Sequence, residues 1–313
     1  MNPKNIIMWA LTYRCNMSCE YCYVRQRTKT WDELDDNKCL ELSNALCGSF
    51  FDWKPDAIWL TGGEPTLKPI LSDVVRLFEK SNIKTVITTN GLCSEDILSD
   101  LVISKPRGIT ISIESLDSGK NNLMRGFTEN IIKSIKWIRK YKDPYTILGV
   151  SCVITSNNLD ALTDFAIKLD SMGVEYLSLN PIIGYGGNYS EEYFVNLNKV
   201  LAKIREYTQL MIPSQFYFDL VADYHTGKRS ALINCPATEQ YVFISPWGEL
   251  LPCSNEIWQN NKIVPQTFLS GNILSDFEKI RQNFALDAIT TKSPCFGDRC
   301  IGCWKVYFDT IFT

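Results

Sequence analysis

The stretch RCNMSCEYCY, residues 14–23, places three cysteines in the spacing Cys15-x3-Cys19-x2-Cys22. Four thiolates close the coordination of a zinc ion or an iron–sulfur cluster. Three thiolates on a [4Fe–4S] cluster leave one iron open, so the cluster can hold a ligand as well as carry electrons. Tyr21 and Tyr23 flank the third cysteine and would wall off solvent. Two blander explanations compete: thiols close by chance, or half of a zinc ribbon. The ribbon needs a fourth Cys or His nearby, and the single histidine, His225, is far away in sequence.

A second group lies in the last quarter: Cys235, Cys253, Cys295, Cys300 and Cys303. Cys235 precedes a predicted hairpin and Cys253 sits on its outgoing strand, while Cys300-x2-Cys303 follows a helical stretch. Two ligands from around a hairpin and two from a CxxC make a closed four-thiolate site, suited to a cluster or to zinc. Cys295 is then left over, as an alternative ligand, a redox-active thiol or a packed group. Cys93, just after a strand end, is a further candidate reactive thiol, with Cys295 its counterpart in the tail. Cys152 is expected in the core, Cys39 and Cys47 in a helix and at its end, and His225 in a loop-like DYHTGKR.

Composition narrows the setting. The chain has 313 residues, 45% hydrophobic and 21% charged, with a net charge of −3. Both signs are interspersed with no basic stripe, which argues against nucleic acid as the main partner. No apolar run is long enough for a bilayer, and MNPKNIIMWA does not read as a signal peptide. The expected location is the cytosol, where twelve cysteines point to metal rather than to disulfides.

Elements that position these residues follow from periodicity. Strand candidates IIMWALTY, AIWLTG, KTVITTN, GITISIE, YTILGVSCVIT and EYLSLN alternate with amphipathic helical segments, the pattern of βα units and a parallel sheet. Helices are expected over Leu159–Met172, with Leu159, Leu162, Phe165, Ala166, Leu169 and Met172 on one face, and over Tyr193–Met211, with Tyr193, Leu197, Val200, Leu201, Ile204, Tyr207 and Met211. Ser94 and Thr128 read as N-caps. Six units suit an open, partial TIM-like (β/α)6 barrel, whose site belongs at the C-terminal strand ends. There the chemistry gathers: the cysteines after strand one, TGGEP after two, TNG after three, Glu114 after four.

Alternation turns Ile109, Ile111 and Ile113 toward the helices and Thr110, Ser112 and Glu114 inward. It also turns Thr88, Asn90, Gly149, Ser151, Tyr176, Ser178 and Asn180 inward, which makes a polar chamber. Beyond about residue 212 the pattern changes to a hairpin turning at Pro246–Glu249, a helical ILSDFEKIRQNF and then CFGDRCIGC. The expected fold class is therefore α/β: a partial barrel over 1–212 and a small C-terminal hairpin-and-helix iron–sulfur domain over 213–313.

In combination, LTYRCNMSCEYCY, TGGEP, TTNG, SIESLD with MRG, and VITSNN resemble the radical S-adenosylmethionine (SAM) superfamily. The tail resembles the twitch domain, the shortened form of that superfamily's SPASM extension, with one auxiliary [4Fe–4S] cluster on Cys235, Cys253, Cys300 and Cys303. The resemblance implies SAM chelating the open iron of a first cluster on Cys15, Cys19 and Cys22. It implies Gly62, Gly63 and Glu64 of the GGEP motif, which Pro65 completes, at the amino group, and Ser112 and Glu114 at the ribose or methionine part. Arg125 would take the carboxylate, Tyr21 the adenine, and Asn90, Val153 and Asn180 join the SAM-contacting set. Glu114 departs from the Asp that many relatives carry.

The implied chemistry is reductive cleavage of SAM to a 5′-deoxyadenosyl radical that takes a hydrogen atom from substrate, with a flavodoxin or ferredoxin as electron donor and Cys93 or Cys295 as the candidate donor of a hydrogen atom to the substrate radical. Relatives with such tails mostly modify ribosomally made peptides by epimerisation, cross-linking or oxidation. Some twitch-bearing relatives instead oxidise an aminocyclitol alcohol in antibiotic biosynthesis. A non-catalytic electron carrier is the third class, and it has no use for an open iron. Only fourteen residues precede Cys15, so a peptide leader is expected to bind the barrel or a separate protein.

Overall fold

A computed structural model describes residues 5–22, 24, 33–48, 55–181, 189–226, 241–248 and 250–251. Its strands are β1 (Ile6–Thr12), β2 (Ala57–Gly62), β3 (Lys84–Thr89), β4 (Gly108–Ser112), β5 (Ile147–Ile154), β6 (Tyr176–Pro181), β7 (Tyr241–Ile244) and β8 (Leu250–Leu251). They form one sheet in the order β6-β5-β4-β3-β2-β1-β7-β8. Neighbours pair in parallel from β6 to β7, and only β7 and β8 are antiparallel. Each of the six sequence-expected strands is present, and the open parallel sheet is that of a partial barrel.

The helices are α1 (Asp36–Cys47), α2 (Leu71–Lys80), α3 (Glu95–Ile103), α4 (Ser118–Met124), α5 (Thr128–Tyr141), α6 (Leu162–Ser171), α7 (Glu191–Tyr207) and α8 (Gln215–Thr226). Side-chain caps start several of them. Asp35 accepts from Lys38 N at 2.9 Å, Ser94 from Ile97 N at 3.4 Å and Ser190 from Tyr193 N at 3.2 Å. Thr128 is not the cap expected of it but the first residue of α5. Phe127 precedes it with φ of 55°, and Thr128 Oγ1 donates to Asn122 and accepts from Asn121. That left-handed Phe127 follows Gly126, at φ of 94°, in one tight corner.

Leu159–Ala161 forms a 3-10 turn ahead of α6 rather than its first turn. Helix α7 stops at Tyr207, because its chain must turn to bring Met211 beside β6, where Leu177 N donates to Met211 O at 2.8 Å. Tyr207 and Met211 are thus exposed instead of sharing the buried face with Leu197, Leu201 and Ile204. His225 lies in the last turn of α8, not in a loop, since the helix runs on through Asp223 and Tyr224.

Face assignments hold where alternation made them. Ile109, Ile111 and Ile113 are fully buried in the layer that packs against the helices, together with Cys152. A Cβ on Gly91, itself at φ of 73°, would lie 3.2 Å from Ile111 Cγ2, so the turn after β3 is pressed onto that outer face. On the inner face Asn180 Nδ2 donates to Ser151 Oγ at 3.1 Å and to Ser178 Oγ at 2.8 Å. Trp59 Nε1 donates to Thr88 Oγ1 at 2.6 Å.

The predicted hairpin exists as β7 and β8, with Gly248 at φ of 83° in its turn. Its first strand lies past residue 212 yet pairs with β1 in parallel, so the sheet continues into the tail. Tyr241–Ile244 is apolar throughout and buried, as a strand covered on both faces must be. Among the described residues no helix is long and apolar enough to cross a membrane.

Candidate functional site

Three strand exits converge on the cysteine loop. Gly63 N donates to Thr12 O at 2.7 Å and Glu64 N to Arg14 O at 2.9 Å, which staples GGEP to the chain leaving β1. The approach is close enough to require glycine. A Cβ on Gly62 would stand 2.2 Å from Thr12 O, and one on Gly63 2.3 Å from Arg14 O.

Glu64 is fully buried. Its Oε1 accepts from Thr66 N at 3.0 Å, Thr66 Oγ1 at 2.7 Å and Thr89 Oγ1 at 2.7 Å, and its Oε2 from Asn90 N at 2.7 Å. Burial pushes its carboxyl above the usual range, and these bonds oppose that shift. The carboxylate thus binds the exits of β2 and β3 together, with Pro65 opening the 3-10 turn it caps. TNG reaches back in turn: Asn90 Nδ2 donates to Asn16 Oδ1 at 2.8 Å, and Asn16 Nδ2 to Leu92 O at 2.7 Å.

The far side of the loop rests on β4. Arg125 Nε lies 2.7 Å from Glu114 Oε2, and its Nη2 donates to Glu114 Oε1 and Tyr21 Oη, each at 2.8 Å. Glu20 N donates to Met124 O at 3.2 Å, so α4 and the loop are joined through backbone as well. Arg125 therefore stands beside the loop, bound two-pronged to Glu114. Ser112 is buried, and Val153 pairs with Asn180 across β5 and β6. These residues thus share one end of the barrel.

Among the thiols Cys15 is exposed, Cys22 intermediate and Cys19 buried. Although Cys15 is exposed as a residue, desolvation around its sulfur pushes the thiol above its ordinary value, the Met17 N–H pulls it back, and Glu64 and Cys22 push further. Burial does the same to Cys19, where Arg125 pulls back and Cys22, Glu114 and Cys15 push on. Three thiols on one loop suit a positively charged centre that takes all of them as thiolates. Among the described residues no three Cys, His, Asp or Glu converge on a point as ligands of a single metal ion. Three soft sulfur donors on one loop are the donor chemistry that an iron–sulfur cluster takes.

Cys93 packs half-buried beside Thr66, and burial followed by Glu64 pushes its thiol up to about 12. It therefore keeps its S–H at neutral pH, the form a hydrogen-atom donor needs. Tyr23, Cys235, Cys253, Cys295, Cys300 and Cys303 lie outside the described residues.

One contributor escaped the motifs. Glu33 accepts from Thr12 Oγ1 and Tyr13 N, each at 2.6 Å, and fixes the point where β1 becomes the cysteine loop. Next to it Leu34 N donates to Pro246 O at 2.8 Å, and Tyr13 meets Trp247 edge to face at 5.5 Å. Glu33 thereby sits between the loop and the hairpin turn. A lone carboxylate ahead of a helix carries no spacing signal that could have found it. In Glu33→Ala, two donors lose their acceptor, at a cost of about 1–3 kcal/mol. We expect iron retained per chain after gel filtration to fall severalfold with unchanged circular dichroism; full retention would contradict this role.

The sequence profile of the Radical SAM superfamily matches residues 9–167. The antilisterial bacteriocin subtilosin biosynthesis protein AlbA of Bacillus subtilis is 26% identical over 296 residues, which cover 93% of this chain and 62% of AlbA. The chain thus spans less than two thirds of that relative's length. Among solved structures, Streptococcus suis SuiB bound to S-adenosylmethionine matches with a TM-score of 0.67 at 16% identity, covering 93% of this chain and 66% of SuiB. SuiB bound to its precursor peptide SuiA matches with a TM-score of 0.65, also at 16% identity, over 95% of this chain and 75% of SuiB.

Proposed function

The chain belongs to the radical SAM superfamily, and from that premise we propose that it modifies a ribosomally made peptide by hydrogen-atom abstraction. The observation that carries the chemistry is the loop of Cys15, Cys19 and Cys22, stapled on one side to GGEP and TNG and on the other to Arg125. Cys15, Cys19 and Cys22 would hold the cluster, and the strand ends bearing Gly62, Gly63, Ser112, Val153 and Asn180 would receive SAM. When bound, the pair supplies reductive carbon–sulfur cleavage and a carbon-centred radical.

This chain's own residues do the rest. Glu64 and Glu33 hold the loop's two flanks, Tyr21 shields it, and Ser151, Ser178 and Asn180 present a polar wall. The tail from residue 213 is read as a twitch domain whose Cys235, Cys253, Cys300 and Cys303 carry a second cluster. That cluster would take up the electron left after an oxidation. The peptide class draws support from a relative concerned with bacteriocin biosynthesis and a structural neighbour solved with a precursor peptide.

The test is a mass measurement. The anaerobically reconstituted enzyme is incubated with SAM, reductant and the peptide encoded beside its gene in deuterated water, and labile sites are exchanged back. A gain of about one mass unit marks epimerisation with hydrogen returned from an exchangeable thiol, Cys93 or Cys295. A loss of about two marks oxidation or cross-linking. An unchanged peptide alongside vigorous SAM cleavage would contradict the peptide class and turn attention to a small-molecule alcohol.

A further inference from the structure

Asn90 is held more tightly than a contact to a diffusible cofactor requires. It is 5% exposed, and its backbone N–H is taken by Glu64 Oε2 at 2.7 Å. Its side-chain Oδ1 accepts from Leu92 N at 2.8 Å. That bond settles which way the amide faces, because the oxygen must point at Leu92 and the NH2 group at the cysteine loop. Of the two N–H groups, one goes to Asn16 Oδ1 at 2.8 Å and the other to Cys15 Sγ at 3.8 Å. Cys15 Sγ also accepts from Met17 N at 3.4 Å.

We infer that Asn90 is a positioning residue for the first cluster ligand, and that its amide N–H on the Cys15 sulfur raises the reduction potential of the cluster bound there. A donor on a cluster thiolate stabilises the extra negative charge of the reduced state and makes the electron easier to accept. Asn16 serves this arrangement from the other side, since it offers Asn90 an acceptor and closes the turn through Leu92 O. Glu64 completes it by fixing the Asn90 backbone. The motif GGEP thus acts on Cys15 through Asn90. The inference rests on Cys15, Cys19 and Cys22 being cluster ligands.

The test compares the wild-type chain with Asn90→Ala and Asn90→Asp, each reconstituted anaerobically and poised at one fixed potential. Iron per chain is counted, and the reduced fraction is read from the electron paramagnetic resonance signal that changes when SAM is added. Asn90→Ala should load iron normally and lower the ratio of reduced to oxidised cluster about threefold. Asn90→Asp turns a carboxylate toward the sulfur and should lower it about tenfold, which is about 59 mV for one electron. Wild-type ratios in both fully loaded variants would overturn the inference.

If either variant loads too little iron, Asn16→Ala decides. With the acceptor that helps hold it gone, the Asn90 amide is less firmly aimed at Cys15 and the ratio should fall; an unchanged or higher ratio would overturn the inference. A wild-type chain that forms no SAM-responsive cluster would instead contradict the ligand assignment itself.

Discussion

Arg125→Ala should lower the stability of the metal-free chain by about 3–5 kcal/mol. The Glu114 side chain is 0% exposed and that of Arg125 11%, so the pair is out of water. Two charged oxygens facing two guanidinium nitrogens at 2.7 and 2.8 Å offset the cost of burying both charges. Remove the cation and the carboxylate stays behind, buried and unpaired, with Tyr21 Oη stripped of its donor as well. For a chain of this size the change corresponds to a melting point lower by roughly 10 °C.

Neutralising the remaining carboxylate with Glu114→Gln in the same chain should recover about 2 kcal/mol or more, a coupling expected of groups in direct contact. Arg125→Lys should recover little, because an ammonium cannot bridge two oxygens and the tyrosine at once. A melting point within about 2 °C of wild type in Arg125→Ala would mean that the ion pair does not bind α4 to the cysteine loop.

The second large effect is chemical and leaves the fold alone. Cys19→Ala removes the most buried of the three thiols and replaces it with a side chain that fits the space. Stability should change by no more than about 1 kcal/mol, as for a small packed group. SAM cleavage should fall by more than about 10³-fold, since losing a cluster ligand removes the reagent rather than weakening a contact. Cys152→Ala is the matching control. That thiol is fully buried among the outward-facing side chains of the sheet, so its loss should leave SAM cleavage unchanged.

These two sites differ in how far the sequence revealed them. The cysteine loop was legible because its chemistry is encoded locally, in residue type and spacing. Alternation along GITISIE was equally readable, since a strand with polar residues on one side and isoleucines on the other has only one sensible orientation beneath helices. What escaped was set by contacts distant along the chain. Glu33 binds residues about twenty positions earlier, and the parallel pairing of β7 with β1 joins segments more than two hundred apart.

Glu64 shows a subtler case. Its motif marked it as a site residue, and the structure adds a role the motif did not spell out, four bonds from protein groups that tie β2 to β3. A motif reports that a residue type is required at a position without saying which of its contacts requires it. Thr128 erred by one position for a local reason, the left-handed Phe127 that starts α5 a residue sooner than a capping threonine would. Tyr207 and Met211 followed helical periodicity that simply outran its helix.

The measurement that bears most directly on the function is whether this chain turns SAM into 5′-deoxyadenosine. Reconstituted with iron and sulfide, reduced anaerobically and given SAM, the wild-type chain should release 5′-deoxyadenosine and methionine in equal amounts, and Cys19→Ala should release neither. Absence of 5′-deoxyadenosine from a wild-type chain with its first cluster fully loaded would contradict hydrogen-atom abstraction and leave an iron–sulfur electron carrier in its place.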